Sequence, residues 1–110
     1  MRKYMKRTLF ATFVLIIAAA ALDSRIRAIA PAVPFMGDFP DYGKIVWCPV
    51  YMSFGLQDPV CPPHTNFAIY NNFGSEEKHF LCVPTCGHAM WKEEAWPPVR
   101  QEFFGRVIAM

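Results

Sequence analysis

The sequence predicts an α/β fold with a parallel sheet of about three strands and flanking helices. Three observations lead to this prediction: segments with strand patterning alternate with segments of helical patterning, prolines and glycines separate them, and the longest strand-like segment is apolar on both faces. Elements that alternate in this way form strand-helix-strand units whose strands run parallel. At 110 residues the chain forms at most one small domain.

The first half of the chain is expected to hold one helix and two strands. Phe10 to Leu22 has the composition of a helix, and the alternating residues of Arg25 to Ala30 predict a strand. A proline-rich loop, Pro31 to Pro40, follows. Lys44 to Phe54 is nearly continuous in apolar residues, which is typical of a parallel strand covered on both faces, and Gly55 ends it.

The second half is expected to add two helices and one strand. The pair Pro62–Pro63 fits the entry of a helix over His64 to Phe73, because a proline there lacks only an N–H that has no partner within the helix. Lys78 to Val83 is predicted as the third strand. A second pair, Pro97–Pro98, opens a last helix. The apolar face of this helix consists of Val99, Phe103 and Val107, with Phe104 and Ile108 beside them.

The N-terminal segment, residues 1–22, differs from the rest of the chain, 23–110. Four cations precede an uncharged and largely apolar run, Thr8 to Leu22, which is the layout of a signal peptide. The run is too short for an ordinary spanning helix, so a membrane anchor is the weaker form of this interpretation. A buried core helix fits the same residues. The first interpretation places the protein outside the cell or in the periplasm if residues 1–30 act as the signal, and the second places it in the cytoplasm.

Composition narrows the functional classes. Hydrophobic residues make up 54% and charged residues 18%, which excludes a disordered chain. The net charge of +2 comes largely from the N-terminal cations, and the rest of the chain offers no basic stripe for nucleic acid. The apolar content exceeds what so short a chain can bury, which predicts oligomerisation or docking through an exposed sheet edge.

Two polar residues follow predicted strands and are the candidates for chemistry. Asp58 comes after the strand that ends at Gly55, and His88 comes after Lys78 to Val83. Reacting groups in parallel sheets gather beyond the carboxyl ends of the strands, which lie about 4.8 Å apart, so we expect the carboxylate to reach the imidazole. A carboxylate in that position fixes the tautomer of a catalytic histidine. A turn-forming Asp and a surface His remain the alternatives.

The literal sequence resembles a known family. Gly55-Leu-Gln-Asp-Pro-Val-Cys-Pro-Pro63, Phe67-Ala-Ile-Tyr-Asn71 and Cys86-Gly-His88 are similar to segments of the acetylxylan esterase and cephalosporin-C deacetylase family of α/β-hydrolases. The resemblance implies that Asp58 is the acid and His88 the base of a serine esterase triad. It also implies an acetylated carbohydrate, such as acetylated xylo-oligosaccharides, as substrate, and no cofactor or metal. Residues 23–110 would be the C-terminal part of the domain, and residues 1–22 a remnant of the nucleophile helix.

The nucleophile of that family has no counterpart in this chain. The family's Gly-x-Ser-x-Gly turn would fall at Thr8-Leu-Phe-Ala-Thr12, which has neither glycine nor serine. None of Ser24, Ser53 and Ser75 lies in such a pattern. Loss of the serine costs intact enzymes about 10⁶-fold in rate, so the chain alone is expected to be catalytically silent.

The remaining candidate residues are cysteines and tryptophans. Free thiols are favoured over two disulfides for Cys48, Cys61, Cys82 and Cys86, and Cys82, Cys86 and His88 match no common zinc spacing. Trp91 and Trp96 follow His88 closely and are candidates to line a substrate mouth, although core packing is the commoner role of tryptophan. The competing hypothesis is a small exported or membrane-tethered binding protein that uses this aromatic surface without catalysis.

Overall fold

A computed structural model of the chain describes residues 16–32, 40–89 and 93–109, with the backbone alone for residues 40–42. Residues 16–22 are helical and form α1, the described part of the helix predicted for Phe10 to Leu22. The elements after it are a 3₁₀ helix at Pro40–Ile45, β1 at Val50–Gly55, α2 at Pro63–Asn72, β2 at Lys78–Val83 and α3 at Trp96–Ala109. The predicted helices and the strands β1 and β2 therefore follow one another in the predicted order, and the sheet within the described residues has two strands where about three were predicted.

The sheet is parallel, as predicted. β1 pairs with β2 in a register that sets Val50 opposite Lys78 and Gly55 opposite Val83. On the other side of β1, Ile29 and Ala32 form isolated parallel bridges with Val50 and Ser53. β1 is thus the central segment of the sheet, with a short bridging segment on one side and β2 on the other. The α/β class with parallel strands is confirmed.

One predicted strand is replaced by isolated bridges, and another is shorter than expected. In place of the strand over Arg25 to Ala30, Arg25 lies in an exposed turn, where it forms an ion pair with Asp23 at 2.7 Å, and pairing begins only at Ile29. In place of a strand over Lys44 to Phe54, the chain enters the 3₁₀ helix and begins β1 at Val50.

Proline explains the second of these differences. Pro49 has no N–H to donate to a ladder, and its carbonyl accepts a hydrogen bond from the N–H of Ile29 at 3.1 Å, so regular pairing starts after it. Trp47, predicted within a buried strand, is 72% exposed as a result. Cys48, predicted within the same strand, lies before β1 and is half-buried.

The two faces of β1 pack against different helices, because successive side chains of a strand point to opposite sides of the sheet. On one face the ring of Phe54 contacts Phe67 of α2 edge to face, with ring centres 4.9 Å apart, and stacks on Phe80 of β2 at 5.8 Å. On the other face Tyr51 contacts Trp96 and Phe103 of α3. The core therefore lies above and below β1.

The helix α3 is anchored at both the core and the surface. The predicted apolar positions Phe103 and Val107 are buried, whereas Ile108 is exposed. Arg106 forms a bidentate ion pair with Glu77, with both N–O distances 2.8 Å, which ties α3 to the turn before β2. Within the described parts of the chain, no helix has the length and apolarity that crossing a bilayer requires.

Candidate active site

The loops after β1 and β2 are joined by backbone hydrogen bonds. The N–H of Leu56 donates to the carbonyl of Val83 at 3.2 Å, and the N–H of Gln57 donates to the carbonyl of Cys86 at 2.9 Å. This approach requires glycine at position 55, since a Cβ there would lie 2.2 Å from the Cys86 carbonyl oxygen. The two loops consequently form one continuous surface at the carboxyl edge of the sheet.

The structure brings Asp58 and His88 together on this surface. Nδ1 of His88 lies 2.9 Å from Oδ2 of Asp58, which is a short hydrogen bond. The side chain of Asp58 is fully buried, whereas that of His88 is 37% exposed. The carboxylate is therefore shielded from water, while the imidazole reaches the surface where a reactant could approach.

The second oxygen of Asp58 is held by the loop that contains it. Oδ1 accepts hydrogen bonds from the N–H groups of Val60 and Cys61, both at 2.8 Å. Burial alone would raise the pKa of Asp58, but the hydrogen bonds from Cys61, His88 and Val60 outweigh it, and the pKa is lowered. Asp58 is thus ionised, oriented at both oxygens and able to hold a proton on Nδ1 of His88.

A buried asparagine fixes this loop to α2. The amide NH₂ of Asn66, which is fully buried, donates to the carbonyl of Cys61 at 2.8 Å and to that of Pro62 at 3.3 Å. Asn66 and the backbone donors were not identified from the sequence. The turn-forming composition around Asp58 could have indicated N–H donors to its carboxylate, whereas the contact of Asn66 depends on how α2 packs.

The thiol of Cys61 lies close to the carboxylate of Asp58 and the imidazole of His88. One ligand atom from each of Asp58, Cys61 and His88 lies within 4.8 Å of the others. Burial raises the pKa of the Cys61 thiol, and the charge of Asp58 raises it further. This group differs from the Cys82, Cys86 and His88 combination considered from sequence spacing. All four cysteines are free thiols in the structure, and that of Cys86 donates to Glu93 at 3.0 Å.

Of the two tryptophans predicted to line a substrate mouth, the structure describes only Trp96. Trp91 lies outside the described residues. Trp96 is 1% exposed and packs against Tyr51, with ring centres 5.9 Å apart, so its indole contacts the core of the protein. We therefore leave Trp96 out of the proposed site. Its burial also removes one of the aromatic residues on which the hypothesis of a non-catalytic binding surface depends.

The three serines of the chain lie in three different environments. Ser53 is fully buried within β1, and the hydroxyl of Ser75 lies 3.1 Å from the carbonyl oxygen of Val46 and 2.6 Å from that of Cys48. Ser24 is an exposed turn residue. The segment Thr8 to Thr12, where the family's nucleophile would fall, lies outside the described residues.

A protein-family model and a known relative each match part of this chain. The family model described as acetyl xylan esterase matches residues 41–95, which are half of the chain and include both Asp58 and His88. The acetyl esterase Axe7A of Xylanibacter ruminicola is 33% identical over 51 residues, which are 46% of this chain and 11% of that protein.

Solved structures share the fold. Acetyl xylan esterase 1 from Thermoanaerobacterium sp. JW/SL YS485 superposes with a TM-score of 0.75 at 24% identity, over 83% of this chain and 41% of that one. A cold-adapted esterase from an Arctic intertidal metagenomic library superposes with a TM-score of 0.73 at 15% identity, over 83% and 43% of the two chains. The chain therefore has part of an α/β-hydrolase fold and spans less than half the length of these relatives.

Proposed function

The chain belongs to the acetyl xylan esterase family, and on that premise we propose that Asp58 and His88 are the acid and base of a serine carbohydrate esterase site. The observation that carries this proposal is the 2.9 Å contact between Asp58 Oδ2 and His88 Nδ1 at the carboxyl edge of the sheet. The substrate class proposed from the family is acetylated xylo-oligosaccharides. Hydrolysis would release acetate from the sugar hydroxyl.

The roles of the two residues follow from general acid-base chemistry. Ionised Asp58 accepts a hydrogen bond from the Nδ1–H of His88, which selects the tautomer with its basic lone pair on Nε2. Nε2 would take the proton of a serine hydroxyl as it attacks the acetyl carbonyl, and would then return that proton to the leaving sugar oxygen. Asp58 stabilises the intermediate imidazolium through the same hydrogen bond.

The nucleophilic serine must be supplied by another polypeptide segment. None of its serines lies in a Gly-x-Ser-x-Gly turn, and that turn supplies both the nucleophile and one oxyanion-binding N–H. We therefore propose that the chain supplies the acid-base half of the site and does not turn over esters alone. A nucleophile-bearing segment of an esterase of the same family is the complement that this half requires.

The experiment combines the two halves. The full chain is assayed with an activated acetyl ester and a fluorophosphonate label, alone and mixed with a family esterase fragment that carries the serine turn but lacks the segment matched here. We expect no turnover or labelling of the chain alone. In the mixture we expect turnover that Asp58→Asn and His88→Ala reduce by at least about 10³-fold.

The matched control is His64→Ala, which removes an exposed imidazole from α2 and leaves the dyad intact. This variant should support turnover at the level of the unmodified chain. Two results would contradict the proposal: turnover by the chain alone that depends on Asp58 and His88, or turnover in the mixture that persists without His88.

A further inference from the structure

A carboxylate, a thiol and an imidazole lie close together after β1 and β2, and all three are side chains of the kind that bind metal ions. Asp58 and Cys61 are three residues apart on one loop, and His88 reaches them from the loop after β2. We propose that Asp58, Cys61 and His88 bind a Zn²⁺ ion, and that this ion and the ester chemistry exclude each other. Binding itself requires only this chain and is independent of any serine.

The distances are compatible with a single ion. Zinc bonds of about 2.0 to 2.3 Å in tetrahedral geometry place neighbouring ligand atoms about 3.3 to 3.8 Å apart. The three ligand atoms already lie within 4.8 Å of one another, and Asp58 Oδ2 is 2.9 Å from His88 Nδ1. Closing these atoms around one ion therefore requires side-chain shifts of about 1 Å. A water molecule would complete the tetrahedral coordination as the fourth ligand.

The charges and ligand types favour zinc over harder cations. A thiolate and a carboxylate carry two negative charges, which one divalent cation balances in a largely buried site with a neutral imidazole. Binding displaces the thiol proton to solvent and forms the zinc-sulfur bond. Mg²⁺ and Ca²⁺ prefer oxygen ligands, so the sulfur atom selects against them. Within the described residues, no other group of three such side chains meets the same distance.

Zinc bound to either ring nitrogen of His88 would prevent this residue from acting as the base in the proposed reaction. An ion on Nδ1 of His88 breaks the hydrogen bond to Asp58 and moves the remaining proton to Nε2, which then has no lone pair for a serine proton. An ion on Nε2 occupies that lone pair directly. This consequence rests on the proposed function, whereas the binding of the metal does not.

The test measures binding to the tag-free full chain. Zn²⁺ affinity is determined by competition with a chromophoric zinc chelator, and Co²⁺ replaces Zn²⁺ to reveal a thiolate-to-cobalt charge-transfer band in the near ultraviolet. We expect one equivalent per chain. Cys61→Ser and His88→Ala should each weaken binding by at least about tenfold, because each removes a direct ligand. Cys61→Ser should also abolish the charge-transfer band.

The matched control is Cys48→Ser, a half-buried thiol outside this group, which should retain both affinity and band. Circular dichroism of each variant verifies folding, and the half-exposed His88 provides a variant that leaves the core intact. The proposal is overturned if the chain binds no stoichiometric Zn²⁺, if Cys61→Ser binds as tightly as the unmodified chain, or if Cys48→Ser loses as much affinity. Since no ester is present, these outcomes leave the esterase proposal to its own test.

Discussion

The two strands of the sheet have the same length and run in the same direction, but they occupy different environments. Val50, Met52 and Phe54 of β1 are fully buried, because chain segments flank β1 on both sides and helices cover both faces. No residue of β2 is fully buried, and Phe80 is 43% exposed. Apolar composition is similar in the two strands, so position in the sheet, and not composition, determines burial.

The difference extends to the candidate site. Asp58 follows the buried strand and has a fully buried side chain with hydrogen bonds at both oxygens. His88 follows the outer strand, and its side chain is partly exposed. A rigid acid and an accessible base are what a triad requires, since the acid orients and the base must meet the reactant. The contrast between the strands thus accounts for the difference in burial between the proposed acid and the proposed base.

The largest expected effect compares equivalent truncations in the two strands. Phe54→Ala should lower the free energy of unfolding by about 3–5 kcal/mol, because it empties a buried ring site between α2 and the sheet. Phe80→Ala should cost only about 1–2 kcal/mol, because its ring is partly in water already. Urea denaturation of both variants measures the difference. Equal losses would mean that the strands are equally buried in solution.

A second prediction concerns the junction of the two loops. Gly55→Ala should cost about 2–3 kcal/mol, since its Cβ would meet the backbone of Cys86 and force the loops apart. Gly87→Ala is the matched control. Its Cβ would lie 3.7 Å from the carbonyl oxygen of Gln57, which is an ordinary van der Waals contact. We expect that control to remain within about 0.5 kcal/mol of the unmodified chain in thermal or urea unfolding. Similar losses from both would refute the close approach.

A third prediction concerns the pH dependence of the contribution that buried Asp58 makes to stability. Asp58→Asn should cost about 1–2 kcal/mol near neutral pH, because hydrogen bonds to an ionised group are lost. The pKa of Asp58 is lower in the folded chain than its usual value, so its contribution is present above the unfolded-state pKa of about 3.9 and is lost as pH falls through the folded value.

The difference in unfolding free energy between Asp58→Asn and the unmodified chain should therefore shrink on acidification. Urea denaturation at a series of pH values from neutral to acidic measures it. A difference that stays constant or grows as pH falls would mean that the folded chain does not favour ionised Asp58. Glu102→Gln on α3 offers a matched control, since it removes one exposed carboxylate outside the candidate site.

The smallest expected effect has the opposite sign and concerns the surface of α3. Gly105 is an exposed position in α3, and a Cβ there would meet no atom within 4 Å. Gly105→Ala should stabilise the chain by about 0.5–1 kcal/mol, because alanine loses less backbone freedom in a helix. A rise in the thermal midpoint checks this. A lower thermal midpoint would indicate that another part of the protein packs against α3 at Gly105.

Local sequence determined several elements of this protein. Lys78 to Val83 was predicted as a strand with the bounds that β2 has, and the proline pair predicted α2 to within one residue at each end. The placement of Asp58 and His88 after two parallel strands anticipated their contact, because the topology brings both loops to one edge. Their catalytic roles remain predictions.

Only the tertiary structure decided the rest. Trp96 follows His88 in sequence but turns into the core against Tyr51, and Arg25 pairs with Asp23 where a strand was expected. The grouping of Cys61 with Asp58 and His88 depends on how two loops pack across a glycine. Periodicity records the local preference of a segment, whereas the direction and burial of a side chain depend on neighbours that are distant in sequence.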